Sequence, residues 1–390
     1  MMRSSRATSV SRRMAGALAV VAGLLTVTVY APVAAEAAQP TDCKSSPPTE
    51  GQLDRLKVKV KPQPEPKIID PTTKKPIVLR GYNWGEWDTA QFPKDPNENV
   101  AQGANSVRIP LRWWGDYKTS GVDSYDKTAT TTGYIKPCHL QLLDETIKQA
   151  VDKHLWVILF VDSDNGQGSG ADSTNNFWNP KNKDKRDQFK ELWRFLTKRY
   201  QNTPYIGALE ILPEPNLNTT GKDSPSLQDD SDVKSFYEEF IGVIRGIDRD
   251  TPIVVGPNDL YNIKRLNNVV TNVDDNIIYT GDYFIHDKAP LDRTQDLSEF
   301  QRTSNAPVWI NQVGIESGAT EDSDKGRRGE ATQVLDDLNN KGIGWSWWTY
   351  RVRATRADTH GIYYVDPTDA NKWIRKDKWY KLVGDHLQQH

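Results

Sequence analysis

An eight-stranded (β/α)8 barrel is the fold that the sequence predicts, on three observations. Eight short, continuously apolar runs alternate with amphipathic segments over about 320 residues, as expected of parallel strands covered on both faces. The first run ends Asn83-Trp84-Gly85-Glu86-Trp87, with no phosphate-binding glycine loop, which disfavours a doubly wound sheet. No shift of composition marks a second domain after residue 68, so one barrel over 68–390 accounts for the body of the chain.

The first 37 residues stand apart from that body. Arg3, Arg6, Arg12 and Arg13 precede an apolar run over 14–29, and Ala34-Ala35-Glu36-Ala37-Ala38 reads as a cleavage site near Ala37. A signal peptide over 1–37 and a secreted bacterial protein are therefore expected, with Arg12-Arg13 compatible with twin-arginine export. The run is short for a membrane span, so no stable membrane insertion is expected after cleavage. Residues 38–67, rich in Pro, Lys, Thr and Ser, read as an exposed leader with a short strand over 56–60. Cys43 and Cys138 are the two cysteines of the chain; in an exported protein they permit one disulfide, tying the leader to the body.

From Ile68 the apolar pattern tightens. A hairpin around 71–75 leads into a first strand over 77–83, and further strands are predicted over 106–110, 156–162, 205–212, 253–256, 277–283, 308–314 and 344–349. Helices are predicted over 139–154, 184–200, 232–248, 290–303 and 327–341, with weaker ones over 95–102 and 259–270 and a final one over 371–385. Leu143, Ile147 and Val151 recur four apart with charged residues between them, which is the helical period. Polar insertions over 163–183 and 217–231 follow strands three and four, on the face where barrel enzymes do their chemistry.

Without the first 37 residues the chain has 46 basic and 51 acidic residues, a net charge of −5. No long Lys/Arg patch compensates, which argues against a nucleic-acid partner. No Cys/His cluster suggests a metal and no serine nucleophile elbow is present, so neither metal nor cofactor is expected. The predicted strand ends instead gather acids and indoles: Trp84, Trp87, Arg108, Trp113, Asp162, Glu210, Glu214, Asn216, Asp282, Tyr283, His286, Gln312, Glu316 and Trp348. Flat aromatic faces stack on sugar C–H faces while carboxylates and amides bond hydroxyls, so an oligo- or polysaccharide is the expected ligand of a monomer. Sugar-facing roles are expected for Trp84, Trp87, Trp113, Trp348, Asn216, Tyr283 and His286. Glu214 lies in Pro213-Glu214-Pro215, where two fixed φ angles hold the carboxylate at a rigid strand exit. Such stiffness suits a general acid.

Over residues 68–385 the chain resembles the family-5 glycoside hydrolases, the cellulase family. Leu79-Arg80-Gly81-Tyr82-Asn83-Trp84 is similar to that family's first strand, and Gly103-Ala104-Asn105-Ser106-Val107-Arg108-Ile109-Pro110 to its second. The resemblance implies that Glu214 is the acid/base, that Arg108 holds the nucleophile's carboxylate, and that Trp347 or, preferably, Trp348 forms the sugar platform. It also implies a retaining mechanism with two carboxylates about 5–5.5 Å apart. Several positions differ. The nucleophile position carries Gln312, and the Asn before the acid/base is Pro213. Asp162 and Asp282 stand where the strand-three and strand-six His would be, and Phe284 replaces a Tyr. An amide is a very poor nucleophile. The pattern therefore implies a rebuilt endo-acting site in which Glu214 works with Asp282, Asp162 or Glu316, or a barrel that binds carbohydrate without cleaving it. A transferase or hydrolase acting on a glycan attached to lipid or protein is the third class considered.

Overall fold

The computed structural model describes residues 43–59, 67–84, 95–114, 124–162, 177–178, 180–220, 224–285 and 290–388. Strand β1 (Lys57–Lys59) pairs antiparallel with β2 (Lys67–Ile69). The predicted hairpin follows: Ile77 N–H donates to the Ile68 carbonyl at 2.9 Å, and the Asp70 carboxylate accepts from Thr72 N–H at 2.7 Å inside the turn.

Nine parallel strands then form one curled sheet: β3 (Arg80–Asn83), β4 (Ser106–Arg112), β5 (Trp156–Asp162), β6 (Ile206–Glu210), β7 (Ile253–Val255), β8 (Ile277–Tyr279), β9 (Asp282–Phe284), β10 (Trp309–Gly314) and β11 (Gly344–Trp347). Their spatial order is β8-β7-β6-β5-β4-β3-β11-β10-β9. β8 and β9 are two halves of one barrel strand, broken at Thr280-Gly281. The lower half pairs with β7 and the upper half with β10, and a parallel bridge from Tyr279 to Val308 joins the two edges. The eight-stranded barrel of the sequence reading is thereby present, with its sixth strand split. Gly281 permits the split: a Cβ there would lie 2.7 Å from Ile263 Cγ1, where the chain after β7 crosses the break.

The covering helices are α1 (Pro96–Ala101), α2 (Pro137–Val151), α3 (Lys183–Tyr200), α4 (Leu227–Arg245), α5 (Pro290–Ser304), α6 (Glu321–Asn340) and α7 (Asp377–Leu387). On α3 the buried positions Phe189, Leu192, Trp193, Leu196 and Tyr200 recur at three- and four-residue steps and pack on the sheet. Each such side chain contributes about 1.5–3 kcal/mol of burial. Helix α4 begins earlier than predicted because Ser226 and Asp229 form a reciprocal capping box.

Two predicted helices are corrected. Over 259–270 the chain instead makes a turn in which Asp259, Leu260 and Tyr261 all have φ near +60°, followed by a 3-10 segment at Ile263–Asn268. Over 371–385 a helix forms only from Asp377. Residues before it build β14 (Asp369–Arg375), antiparallel to β13 (Tyr363–Asp366), which runs parallel to β12 (Arg351–Val352). The Asp366-Pro367-Thr368 turn, in which Asp366 accepts from Thr368 N–H at 2.9 Å, is the local cause.

The stretch read as an exposed leader is anchored where it is described. Cys43 and Cys138 form a disulfide across 95 residues of sequence. Arg55, buried, donates to the carbonyls of Thr203 and Gln201 at 2.7 and 2.6 Å. Leu56 is fully buried among Trp156, Ile158, Ala208, Val254 and Ile278, within the apolar cluster that fills the barrel's lower end. Closing so long a loop restricts the unfolded chain, so Cys138→Ser is expected to lower stability by about 2–4 kcal/mol. Urea denaturation of oxidised wild type beside the variant checks this; coincident midpoints would refute it.

Candidate functional site

Side chains alternate across each strand, and the inward set rises in layers from that apolar plug. The next layer is polar. Arg108 on β4 grips Glu210 at the end of β6 with two bonds, Nε to Oε2 at 2.6 Å and Nη2 to Oε1 at 2.8 Å. The third guanidinium nitrogen, Nη1, donates to Asn83 Oδ1 at 2.9 Å, and the guanidinium rests 3.5 Å over the Phe160 ring centre. Asn311 Nδ2 adds 2.8 Å to Glu210 Oε1, and Tyr261 Oη approaches the same oxygen at 3.3 Å. Burial works against the charge on Arg108, but the adjacent Glu210 outweighs it and the guanidinium is held ionised. The left-handed turn at 259–261 is what brings Tyr261 under Glu210, and its Oη also donates to the Leu212 carbonyl at 2.9 Å.

Glu214, Asp282 and Gln312 form the layer above. Glu214 sits between its prolines with φ +48°, a conformation that costs a non-glycine residue about 1–3 kcal/mol and is found where function fixes a side chain. Gln312 Nε2 donates to Glu214 Oε1 at 2.7 Å. Asp282 is the register partner of Gln312 across β9 and β10, and its carboxyl is in hydrogen-bond contact with Glu214. Burial first, and then the neighbouring Glu214 charge, push the Asp282 carboxyl well above its ordinary range. The layer therefore sets a carboxyl that favours its protonated form beside Glu214, with an amide anchoring Glu214.

Because Asp282 binds its proton more tightly folded than unfolded, the folded state gains protons above the ordinary carboxylate pKa, and stability falls as pH rises from there. Asp282→Asn keeps a donor toward Glu214 and removes that slope. Its Tm relative to wild type is expected to increase steadily between about pH 4 and pH 8. A pH-independent Tm difference would overturn the raised proton affinity of Asp282.

Several expected site residues lie elsewhere. Arg108 holds Glu210, not the residue at position 312, which corrects the role implied by resemblance. Trp84 and Trp113 follow inward-facing Asn83 and Arg112, so strand alternation turns both indoles outward into the helix layer. Trp84, 1% exposed, donates to Asn99 Oδ1 at 2.6 Å, and Trp113, 0% exposed, packs on Tyr125, Phe177 and Phe189. Neither faces a sugar. Tyr283, between inward Asp282 and Phe284, is likewise core. Glu316 lies on the loop beyond β10, half exposed and 4.0 Å from Arg327, apart from the Glu214 layer. Asp162 is buried at the end of β5, in register with Arg112. Asn216 is half-buried beyond Pro215, and Trp348, largely buried, follows directly on β11. Trp87 and His286 lie outside the described residues. Tyr261 was not foreseen, and the role of Glu210 was not assigned. The spacing of Glu210, Leu212 and Glu214 by two was the available signal for Glu210, whereas Tyr261 reaches the layer through a turn with no glycine to announce it.

A model of the cellulase family, glycosyl hydrolase family 5, matches residues 72–353, and the chain belongs to that family. A probable glucan 1,3-beta-glucosidase A of Aspergillus fumigatus is 27% identical over 173 residues, 43% of this chain and 36% of that protein. The match thus spans about a third of that relative's length. Among solved structures, Cel5A of Thermotoga maritima in complex with cellobiose superposes with a TM-score of 0.59 at 20% identity, over 79% of this chain and 97% of that one. The catalytic domain of the Thermobifida fusca endoglucanase Cel5A, in complex with cellotetraose, gives 0.58 at 19% identity, over 85% and 97%. Cellulose synthase subunit Z of Clostridioides difficile gives 0.57 at 19%, over 80% and 100%. These likenesses establish the (β/α)8 barrel. Among the described residues no helix is long and apolar enough to cross a membrane.

Proposed function

We propose that the protein is a secreted, monomeric endo-acting hydrolase of a β-linked polysaccharide, with Glu214 as its acid/base. The observation that carries this is Glu214, fixed between its prolines and bonded by Gln312 Nε2 at 2.7 Å, beside Asp282 in a family-5 barrel. Glu214 passes a proton to the glycosidic oxygen, and the bond from that oxygen to the anomeric carbon breaks. The two carboxylates left behind face the positive charge that develops on the sugar. Water adds to the anomeric carbon, and the proton it gives up returns to the pair. Gln312 fixes the direction of Glu214 through the 2.7 Å bond and carries no bond-forming role.

Release of new reducing ends from soluble glucans, mannans and xylans tests this reading; no release from any of them would end it. Export rests on the arginines and apolar run of residues 1–37. Detection of the full-length chain solely inside the producing cells would contradict it.

Gln312 favours a second reading, a barrel kept for binding carbohydrate, because the amide occupies the position of the family's nucleophile. Calorimetric binding of an oligosaccharide without turnover, together with cleavage gained in Gln312→Glu, would select it.

A further inference from the structure

Among the described residues nine non-glycine positions have positive φ, and four of them meet at one place: Glu214, and the run Asp259, Leu260 and Tyr261. The contact between the two is direct, because Leu260 N–H donates to the Pro215 carbonyl at 3.2 Å. Three successive left-handed residues without a glycine are locally disfavoured, and such a backbone persists where surrounding contacts over-determine it. Here those contacts run from the turn into the chain that leaves β6.

Asn258, which opens the turn after β7, is 2% exposed and commits both ends of its amide to one residue. Its Oδ1 accepts from Leu217 N–H at 2.8 Å, and its Nδ2 donates to the Leu217 carbonyl at 2.7 Å. At the far end of the turn Tyr261 Oη donates to the Leu212 carbonyl at 2.9 Å, beside Tyr237 Oη of α4 at 2.7 Å. The left-handed backbone folds the Tyr261 ring back over Gly256, where a Cβ would lie 2.4 Å from the ring's Cε1. Gly256 thus leaves the space in which the ring lies. The segment 212–217 is therefore pinned at both ends, and once between them at Pro215, by a single turn. Pro213 and Pro215 have fixed φ angles as well. The φ of +48° at Glu214 follows from where the turn holds its flanks.

We infer that Asn258 is a positioning residue for the acid/base. Its two bonds to Leu217, with the Leu260 and Tyr261 bonds of the same turn, hold Glu214 in the left-handed conformation from which its carboxyl meets Gln312 Nε2. This rests on the acid/base role proposed for Glu214 above. The task needs an amide, since one side chain must accept from an N–H and donate to a carbonyl of the same residue.

Steady-state kinetics of wild type, Asn258→Ala, Glu214→Gln and the double variant on soluble glucans, mannans and xylans test it, with a crystal structure of Asn258→Ala. The expected result for Asn258→Ala is a kcat lower by about 10²-fold with KM little changed. Added to Glu214→Gln, the same change should lower kcat no further, because the group it positions is already gone; a merely structural loss would multiply the two effects. The crystal structure should show Glu214 out of its left-handed conformation and its bond from Gln312 lost. If Asn258→Ala does not fold, Asn258→Asp, which keeps the acceptor and loses the donor, takes its place in every measurement. Wild-type kcat in the single variant, multiplied losses in the double variant, or Glu214 still near φ +48° and bonded by Gln312 would each overturn the assignment and leave the acid/base reading standing. Full turnover by Glu214→Gln, or no turnover of any glycan by wild type, would overturn that reading, and this assignment with it.

Discussion

Glu214→Gln is expected to lower kcat on the responsive polysaccharide by about 10²–10⁴-fold, with KM little changed. The substituted amide oxygen still accepts from Gln312 Nε2, which donates to Glu214 Oε1 at 2.7 Å in the wild type. Its amide nitrogen still donates toward Asp282. The architecture of the layer survives and the carboxyl that delivers the proton is lost, so the loss belongs in the transition state and not in substrate binding. The neighbouring carboxyl provides an internal check. In wild type, burial and then the Glu214 charge hold Asp282 in its protonated form. Glu214→Gln removes the charge but leaves the burial, so residual activity that draws on the Asp282 proton should lose it, on the alkaline limb, at lower pH than in wild type. Turnover equal to wild type would remove Glu214 from the mechanism, whatever the fold.

The second large effect is on stability. Arg108→Met is expected to cost about 3–5 kcal/mol, read as a shift of the urea midpoint. Arg108 and Glu210 are both 0% exposed, and their two-point contact is what compensates the buried carboxylate. Met fills much of the volume and supplies none of the charge. Asn311 and Tyr261 then remain as partners of Glu210, through one oxygen. A carboxylate stranded in this way takes up a proton on folding, so the variant should recover stability as pH falls, with the opposite dependence to an intact ion pair. Arg108→Met combined with Glu210→Met should be milder than the single change, because no buried charge is left unpaired. A single variant as stable as wild type would show that the pair is not buried in solution.

The barrel was legible in the sequence because its strands are runs covered on both faces. The run over 156–162 coincides with β5, and that over 308–314 differs from β10 by one residue. The chemistry at the strand ends was less legible, since there a displacement of one residue reverses the direction of a side chain. Asn83 and Arg108 point in and Trp84 and Trp113 point out, and the abundance of indoles near the mouth concealed that alternation. Glu214 was legible from its prolines. Its partnership with Asp282 was open among three acids, because nothing in the local pattern announces the split between β8 and β9 that aims Asp282 at it. The role of Glu210 depended on knowing where Arg108 reaches, a contact across 102 residues. The small sheet of β12, β13 and β14 was read partly as helix, since Trp373 and Ile374 adjoin a genuine amphipathic segment.

The break at Thr280-Gly281 divides the wall of the barrel mechanically. Below it, β8 is fastened to β7; above it, β9 is fastened to β10. Asp282 and Gln312 are consequently neighbours on one panel, while Glu214 rides on the chain leaving β6, on the other panel. The register of β9 and β10 fixes the spacing of Asp282 and Gln312, whereas the distance of both from Glu214 depends on how the two panels meet. Two side-chain bonds span the seam, Gln312 Nε2 to Glu214 Oε1 at 2.7 Å and Asn311 Nδ2 to Glu210 Oε1 at 2.8 Å, so the upper panel is held to the chain leaving β6 through the site itself.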